Sequence, residues 1–164
     1  MGKNHKIQVK FLDSEKENRR SIKNSVVHKN ESFLFNIDSG IQGNQDFNNE
    51  IRNLYEKWLY HKANIIFKEK VHILSRVIGV KPNKIVIKNL KNRWVSMTKN
   101  NEINLNIDLI KAPPETIDYI IIHELCHFKM KGYSYNFWNL LGGYCPNYSK
   151  FIKWLNINGK NLLS

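Results

Sequence analysis

Cysteine is almost absent from this chain. Cys126 and Cys145 are its only two, and neither belongs to a C-x-x-C pair, so a small secreted fold stapled by disulfides is excluded. Long apolar runs are missing too. No stretch approaches the roughly 20 residues that span a bilayer, and the opening Met1-Gly2-Lys3-Asn4-His5-Lys6 has no apolar core of the kind a signal peptide needs. A cytoplasmic location and no membrane partner are the expectation. Acidic residues are few, 14 against 26 Lys and Arg, giving a formal net charge of +12. That imbalance favours polyanions and opens nonspecific nucleic-acid contact as a partner class. Lys far outnumbers Arg, however, beside many Asn and Ile, and no block of five like charges forms a basic arm, so compositional bias explains the charge equally well. Internal repeats and low-complexity segments are absent as well.

What is present suits one domain with a full core: 164 residues, of which 41% are hydrophobic. Residues 1–20 are polar and charged, Ser14 to Arg20 most of all, and are expected to be partly frayed. Val26-Val27 and Ser32 to Ile37 read as strands, with Asp38-Ser39-Gly40 a turn and Gly43 to Asn49 a loop. Residues 1–45 thus form N-terminal strands with a partly flexible start, ahead of a core at 46–155. Apolar residues from Phe47 to Ile78, mostly three and four apart, predict one long or broken helix ending before Gly79. Strands follow at Lys84–Lys88, Arg93–Met97 and Ile103–Ile107, the last two joined as a hairpin through Lys99–Glu102. Pro113-Pro114 opens a helix from about 114 to 131 with Gly132 as its C-terminal cap. Two shorter helices close the chain, one capped by Ser134 and ended at Gly142-Gly143, the other from about Asn147 to Asn156.

The helix after Pro114 carries His123-Glu124-Leu125-Cys126-His127, an H-E-x-x-H motif. Residues four apart lie about 40° apart around a helix, so both imidazoles can hold one metal ion. Glu124 follows the first ligand and can serve as the carboxylate base toward a water on that metal, the arrangement of zinc peptidases. Three fixed positions also occur by chance on surface helices. Here the preceding Tyr119-Ile120-Ile121-Ile122 is apolar on every side, which implies a buried helix, and buried His and Glu are costly unless paired or metal-bound. Cys126 points about 100° away from His127 and reads as core.

From Ile85 to about Leu155 the chain resembles the YgjP-like family of metal-dependent hydrolases, which groups with WLM and SprT-type zincin-like proteases. The resemblance rests on Leu90-Lys91-Asn92-Arg93-Trp94, on Ile103-Asn104-Leu105-Asn106, on Asp118 through His127, and on Ser134 with Phe137-Trp138. It implies an α+β, zincin-like fold of the minigluzincin type. Such a fold has a small, mainly antiparallel sheet, a long helix and an active-site helix, with zinc held by the two motif histidines and a third downstream. Two positions depart from the family's pattern. Arg93-Trp94-Val95-Ser96-Met97 carries Val and Met where the family has Gly and Cys, which would narrow the cleft beside the helix. Tyr133 stands ten residues after His123, where the family places its third histidine.

Three readings of Tyr133 stand. It ligates zinc as a phenolate, since a divalent cation lowers the pKa of a bound phenol from its usual value near 10. Alternatively His61, His72, an acidic side chain or an extra water takes the third position. Or Tyr133 only packs, and tight zinc binding is lost. Other named residues have bland alternatives. Trp94, Phe137, Trp138 and Trp154 read as core, Asp118 reads as structural, and Asn104 and Asn106 share a strand face that binds peptide backbone or is merely solvated. The leading expectation is a zinc-dependent metallohydrolase, a peptidase acting on peptide or protein substrates, with His123, His127 and Tyr133 on the metal and Glu124 as catalytic base. The rival is a zincin-like nucleic-acid- or protein-binding module with weak or lost catalysis.

Overall fold

The computed structural model describes residues 6–12, 24–42 and 45–163, apart from the side chain of Gln45. The chain divides into two compact units, Met1–Leu59 and Tyr60–Ser164.

In the first unit, β1 (Lys6–Leu12), β2 (Ser25–Lys29) and β3 (Ser32–Asp38) form a sheet in the order β1-β3-β2. β2 and β3 pair antiparallel, Lys29 opposite Ser32. The two residues between them, Asn30 and Glu31, both adopt positive φ (50° and 58°), the backbone of a type I′ hairpin turn whose twist matches the strands. Alternation then sets the buried face: Phe33, Phe35 and Ile37 point inward and meet Leu54, with Phe47, Ile51, Tyr55 and Trp58 packed around them. β1 runs parallel to β3. Within a start expected to be partly flexible, residues 6–12 form a strand: Ile7, Val9 and Phe11 alternate as a strand should, a signal hidden by the surrounding charge. The polar run from Ser14 to Arg20 lies outside the described residues.

α1 (Gln45–Ile78) is one helix of 34 residues. It stops where expected, at Gly79, whose φ of 75° lets Val80 N–H return to the Ser75 carbonyl at 2.9 Å. Residues from Tyr60 onward belong to the second unit and bury Ala63, Phe67, Val71 and Ile78 in its core. Ile65, expected on the apolar face, is 52% exposed.

The second unit's sheet comprises β4 (Lys84–Lys88), β5 (Val95–Met97) and β6 (Glu102–Asn106) in the order β4-β6-β5. β5 and β6 make the expected antiparallel hairpin, while β4 lies parallel on the other side of β6. The sheet is therefore mixed, and the expectation of a mainly antiparallel sheet holds for one of its two pairings. Hydrophobic alternation specifies which face is buried, not which strand is the neighbour. A 3₁₀ segment, Ile107–Lys111, leads to α2 (Pro114–Cys126), and α3 (Tyr135–Tyr144) and α4 (Tyr148–Asn158) follow. Ser134 caps α3 by accepting from Phe137 N–H at 3.3 Å. The core joins sheet and helices through Ile87, Ile103, Leu105, Ile121, Leu125 and Phe137. Among the described residues, no helix is long and apolar enough to cross a membrane.

Candidate active site

Pro114 opens α2 because a missing N–H costs nothing in a first turn. Eight of the thirteen α2 residues are buried, so its polar residues lie where burial alters their chemistry. Asp118 pairs with Lys70 of α1 at 2.5 Å, the structural role expected of it. The helix ends at Cys126, five residues before the expected end near 131. His127 is its C-terminal cap. The last turn tightens into shorter-range bonds, His127 N–H to Glu124 O and Phe128 N–H to Leu125 O. The chain then bends back until the Met130 carbonyl lies 3.1 Å from His127 Nδ1. Gly132, at φ 77°, turns the loop beyond the helix and does not cap it.

The motif nonetheless converges. The rings of His123 and His127 stand 5.0 Å apart at 78°, and aromatics hold both. Phe137, wholly buried, stacks on His127 at 4.4 Å. Tyr119, one helical turn before His123, lies 5.8 Å from it. Tyr133 faces both imidazoles, 5.8 Å from His123 and 5.2 Å from His127, although 65% of it is exposed. His61 and His72 are exposed on α1. Among the described residues, no three His, Cys, Asp or Glu side chains come together as a preformed metal cluster.

Burial sets the charges. It pulls His123 from 6.5 down to about 4, the neighbouring His127 adding to the effect, so His123 is neutral near pH 7. It pushes Glu124 from 4.5 up to about 7 and, ahead of its acidic neighbours, Tyr119 up to about 12. The donor set fits a metal ion. His123 Nδ1 is buried without a hydrogen-bond partner, a costly state for a polar atom that nothing else satisfies. His127 Nδ1 faces a carbonyl, which can only accept, so the proton sits on Nδ1 and the Nε2 lone pair is left for a ligand. Cys126 is wholly buried and burial raises its thiol to about 11, consistent with a core residue.

His123 and Glu124 open into a cleft of about 290 Å³ lined also by Arg93, Trp94, Val95, Tyr119, Ile120 and Leu155. Val95, expected to narrow the cleft, does line it. Met97 does not. Asn106, expected on a peptide-binding or solvated face, is instead wholly buried. Its Nδ2 donates to the carbonyls of Leu90 (2.7 Å) and Arg93 (2.8 Å), fixing the loop that forms one cleft wall. Asn104 is buried too, its Nδ2 reaching the Ser96 carbonyl at 3.4 Å. Sequence reasoning placed the segment from Arg93 to Met97 beside the cleft through the family resemblance but gave neither Arg93 nor Tyr119 a role in its wall. The four-residue spacing from Tyr119 to His123 was a usable signal, whereas the place of the Arg93 side chain depends on the loop.

A helix bearing H-E-x-x-H, beside a cleft walled by a small mixed sheet, defines an α+β fold of the zincin-like metallopeptidase class. The crystal structure of the metallopeptidase zymogen of Pyrococcus abyssi abylysin shares it, with a TM-score of 0.50 and 22% identity over 57% of this chain and 93% of that one. That of the zymogen of Methanocaldococcus jannaschii jannalysin aligns at a TM-score of 0.48, with 28% identity over 54% of this chain and 96% of that one. This chain belongs to the YgjP-like family, whose metallopeptidase domain matches residues 2–158. No curated protein matches it.

Proposed function

We propose that the chain is a zinc-dependent metallopeptidase in which His123, His127 and Tyr133 hold the metal and Glu124 is the catalytic base. One observation carries this reading. A neutral, partnerless His123 imidazole and a Glu124 carboxyl raised to about 7 open side by side into one cleft. Zinc, when bound, would supply Lewis-acid polarisation of the scissile carbonyl and acidify an attacking water. Glu124 takes the proton from that water and returns it to the leaving amine, work suited to a carboxyl that titrates near neutral pH. The hydrogen bond from His127 Nδ1 to Met130 holds the ring in its ligating tautomer. Tyr133 supplies the third donor, supported by its ring lying near both imidazoles. β5 is an edge strand, and an extended peptide or protein substrate can add to it by backbone hydrogen bonds.

The family match over residues 2–158 supports treating the whole chain as one zincin-like domain. Two free, buried cysteines suit a reducing, cytoplasmic setting.

Elemental analysis of untagged protein purified without chelator should find one zinc per chain. Glu124→Gln should keep that zinc and lower cleavage of a peptide library by about 10²- to 10⁴-fold. A zinc-free parent, or a Gln variant as active as the parent, overturns the reading.

A further inference from the structure

Arg93 is the one cation among the described residues lining the cleft beside His123 and Glu124. Its side chain is exposed, and among the described residues it has no ion-pair partner. Glu124 lines the same cleft, and among the described residues no ion pair joins the two. The backbone around Arg93 is nevertheless fixed. Its own carbonyl accepts from Asn106 Nδ2 at 2.8 Å, the Trp94 carbonyl accepts from Asn106 N–H at 2.8 Å, and Asn92 adopts a left-handed φ of 57°. One wholly buried residue thus staples both sides of an unpaired arginine to the end of β6. Trp94, Val95, Ile120 and Leu155 give the same cleft an apolar lining.

We propose that Arg93 is a specificity-determining residue that binds a carboxylate of the substrate, so that the cleft selects peptides carrying an apolar side chain next to an acidic group. The proposal rests on the peptidase reading above and names its substrate class. The planar guanidinium donates two parallel hydrogen bonds to a carboxylate, a geometry Lys cannot match. Its fixed backbone reduces the ordering cost of binding. The carboxylate is either the peptide's C-terminus or an Asp or Glu side chain. Both present the same chemistry to Arg93, and Asn106 acts only by positioning it.

The test uses zinc-loaded full-length protein and fluorescent peptides of one apolar sequence. One peptide ends in a free carboxylate and one in a carboxamide; two more carry a carboxamide end and an internal Asp or Asn. Binding is read by anisotropy and cleavage by mass spectrometry. The parent should bind at least one carboxylate form about 10-fold tighter than its neutral counterpart, as expected of a charge-assisted hydrogen bond. Arg93→Gln should erase that ratio and Arg93→Lys should keep part of it. In cleavage the loss should fall on KM with kcat little changed. Preference for the free terminus or for the internal Asp identifies the source. No binding, equal binding of charged and neutral peptides, or a ratio that survives in Arg93→Gln overturns the proposal. A carboxylate preference without cleavage of any peptide removes the peptidase reading and leaves the site, whereas cleavage without preference does the reverse.

Discussion

Glu124 and His123 are neighbours in sequence whose titrations burial drives in opposite directions. In the folded, metal-free protein the Glu124 carboxyl rises from 4.5 to about 7, so between those values the folded state keeps a proton that the unfolded chain releases. Stability from this group is full below about pH 4.5 and is lost as pH rises through about 7. His123, lowered from 6.5 to about 4, acts the other way: the unfolded chain binds more protons in that window, so stability falls as pH drops from about 6.5 toward 4. Glu124→Gln removes only the first effect. The melting temperature of metal-free Glu124→Gln should therefore exceed the parent's by a margin that grows from about pH 4.5 to about pH 7 and then levels. A margin independent of pH would show that Glu124 is not buried as described. Tyr133 gives a second residue-scale prediction. Tyr133→Phe should weaken zinc retention, measured by competition with a chelating dye, while Tyr133→His should hold zinc at least as tightly as the parent. Equal affinity in parent and Phe variant would remove Tyr133 from the metal site.

Among the elements, the loop before β5 depends on one side chain. Asn106 is wholly buried and its amide donates twice, to Leu90 and Arg93 carbonyls, while its Oδ1 accepts from Asp108 N–H at 3.1 Å. Asn106→Ala leaves those backbone groups without partners and opens a small void. The cost should be about 2–4 kcal/mol, from roughly 1–3 kcal/mol for a buried unsatisfied group with a further contribution from lost packing. Urea unfolding of the variant measures it, and a change below about 0.5 kcal/mol, the range of an ordinary surface substitution, would show that the loop holds without the staple. α2 shows the same dependence on its surroundings. Its last turn tightens where His127 meets Met130, which brings the loop carrying Tyr133 back over the histidine pair.

Across the whole molecule, a net charge of +12 predicts attraction to polyanions whatever the site does. Binding to DNA should be weak, insensitive to sequence and steeply reduced by salt, because counterion release would supply most of it. Titration of one duplex and one unrelated duplex at two salt concentrations checks this. Affinity that survives high salt, or that distinguishes the duplexes, would point to a base-reading element and favour the nucleic-acid-binding alternative.

Much of the fold and of the site was legible in the sequence wherever the signal was local. H-E-x-x-H places two imidazoles on one face because the helical period dictates it. The end of α1 at Gly79, the Ser134 cap of α3 and the β5–β6 hairpin each follow from a residue whose backbone preference or side-chain oxygen acts within a few positions. Only the tertiary structure decided the rest. β4 runs parallel to β6 because register and neighbour choice depend on which elements share the core. Asn106 faces inward as a staple, although alternation alone cannot tell a buried polar residue from a solvated one. α2 stops at Cys126, and Tyr133 comes to lie over His123 and His127, because a contact between the His127 ring and a carbonyl three residues on outweighs local helix propensity. Arg93 reaches the cleft by the same kind of distant contact. Chemistry carried by one turn of helix is written in spacing, while a wall assembled from separate elements exists only once their buried faces meet.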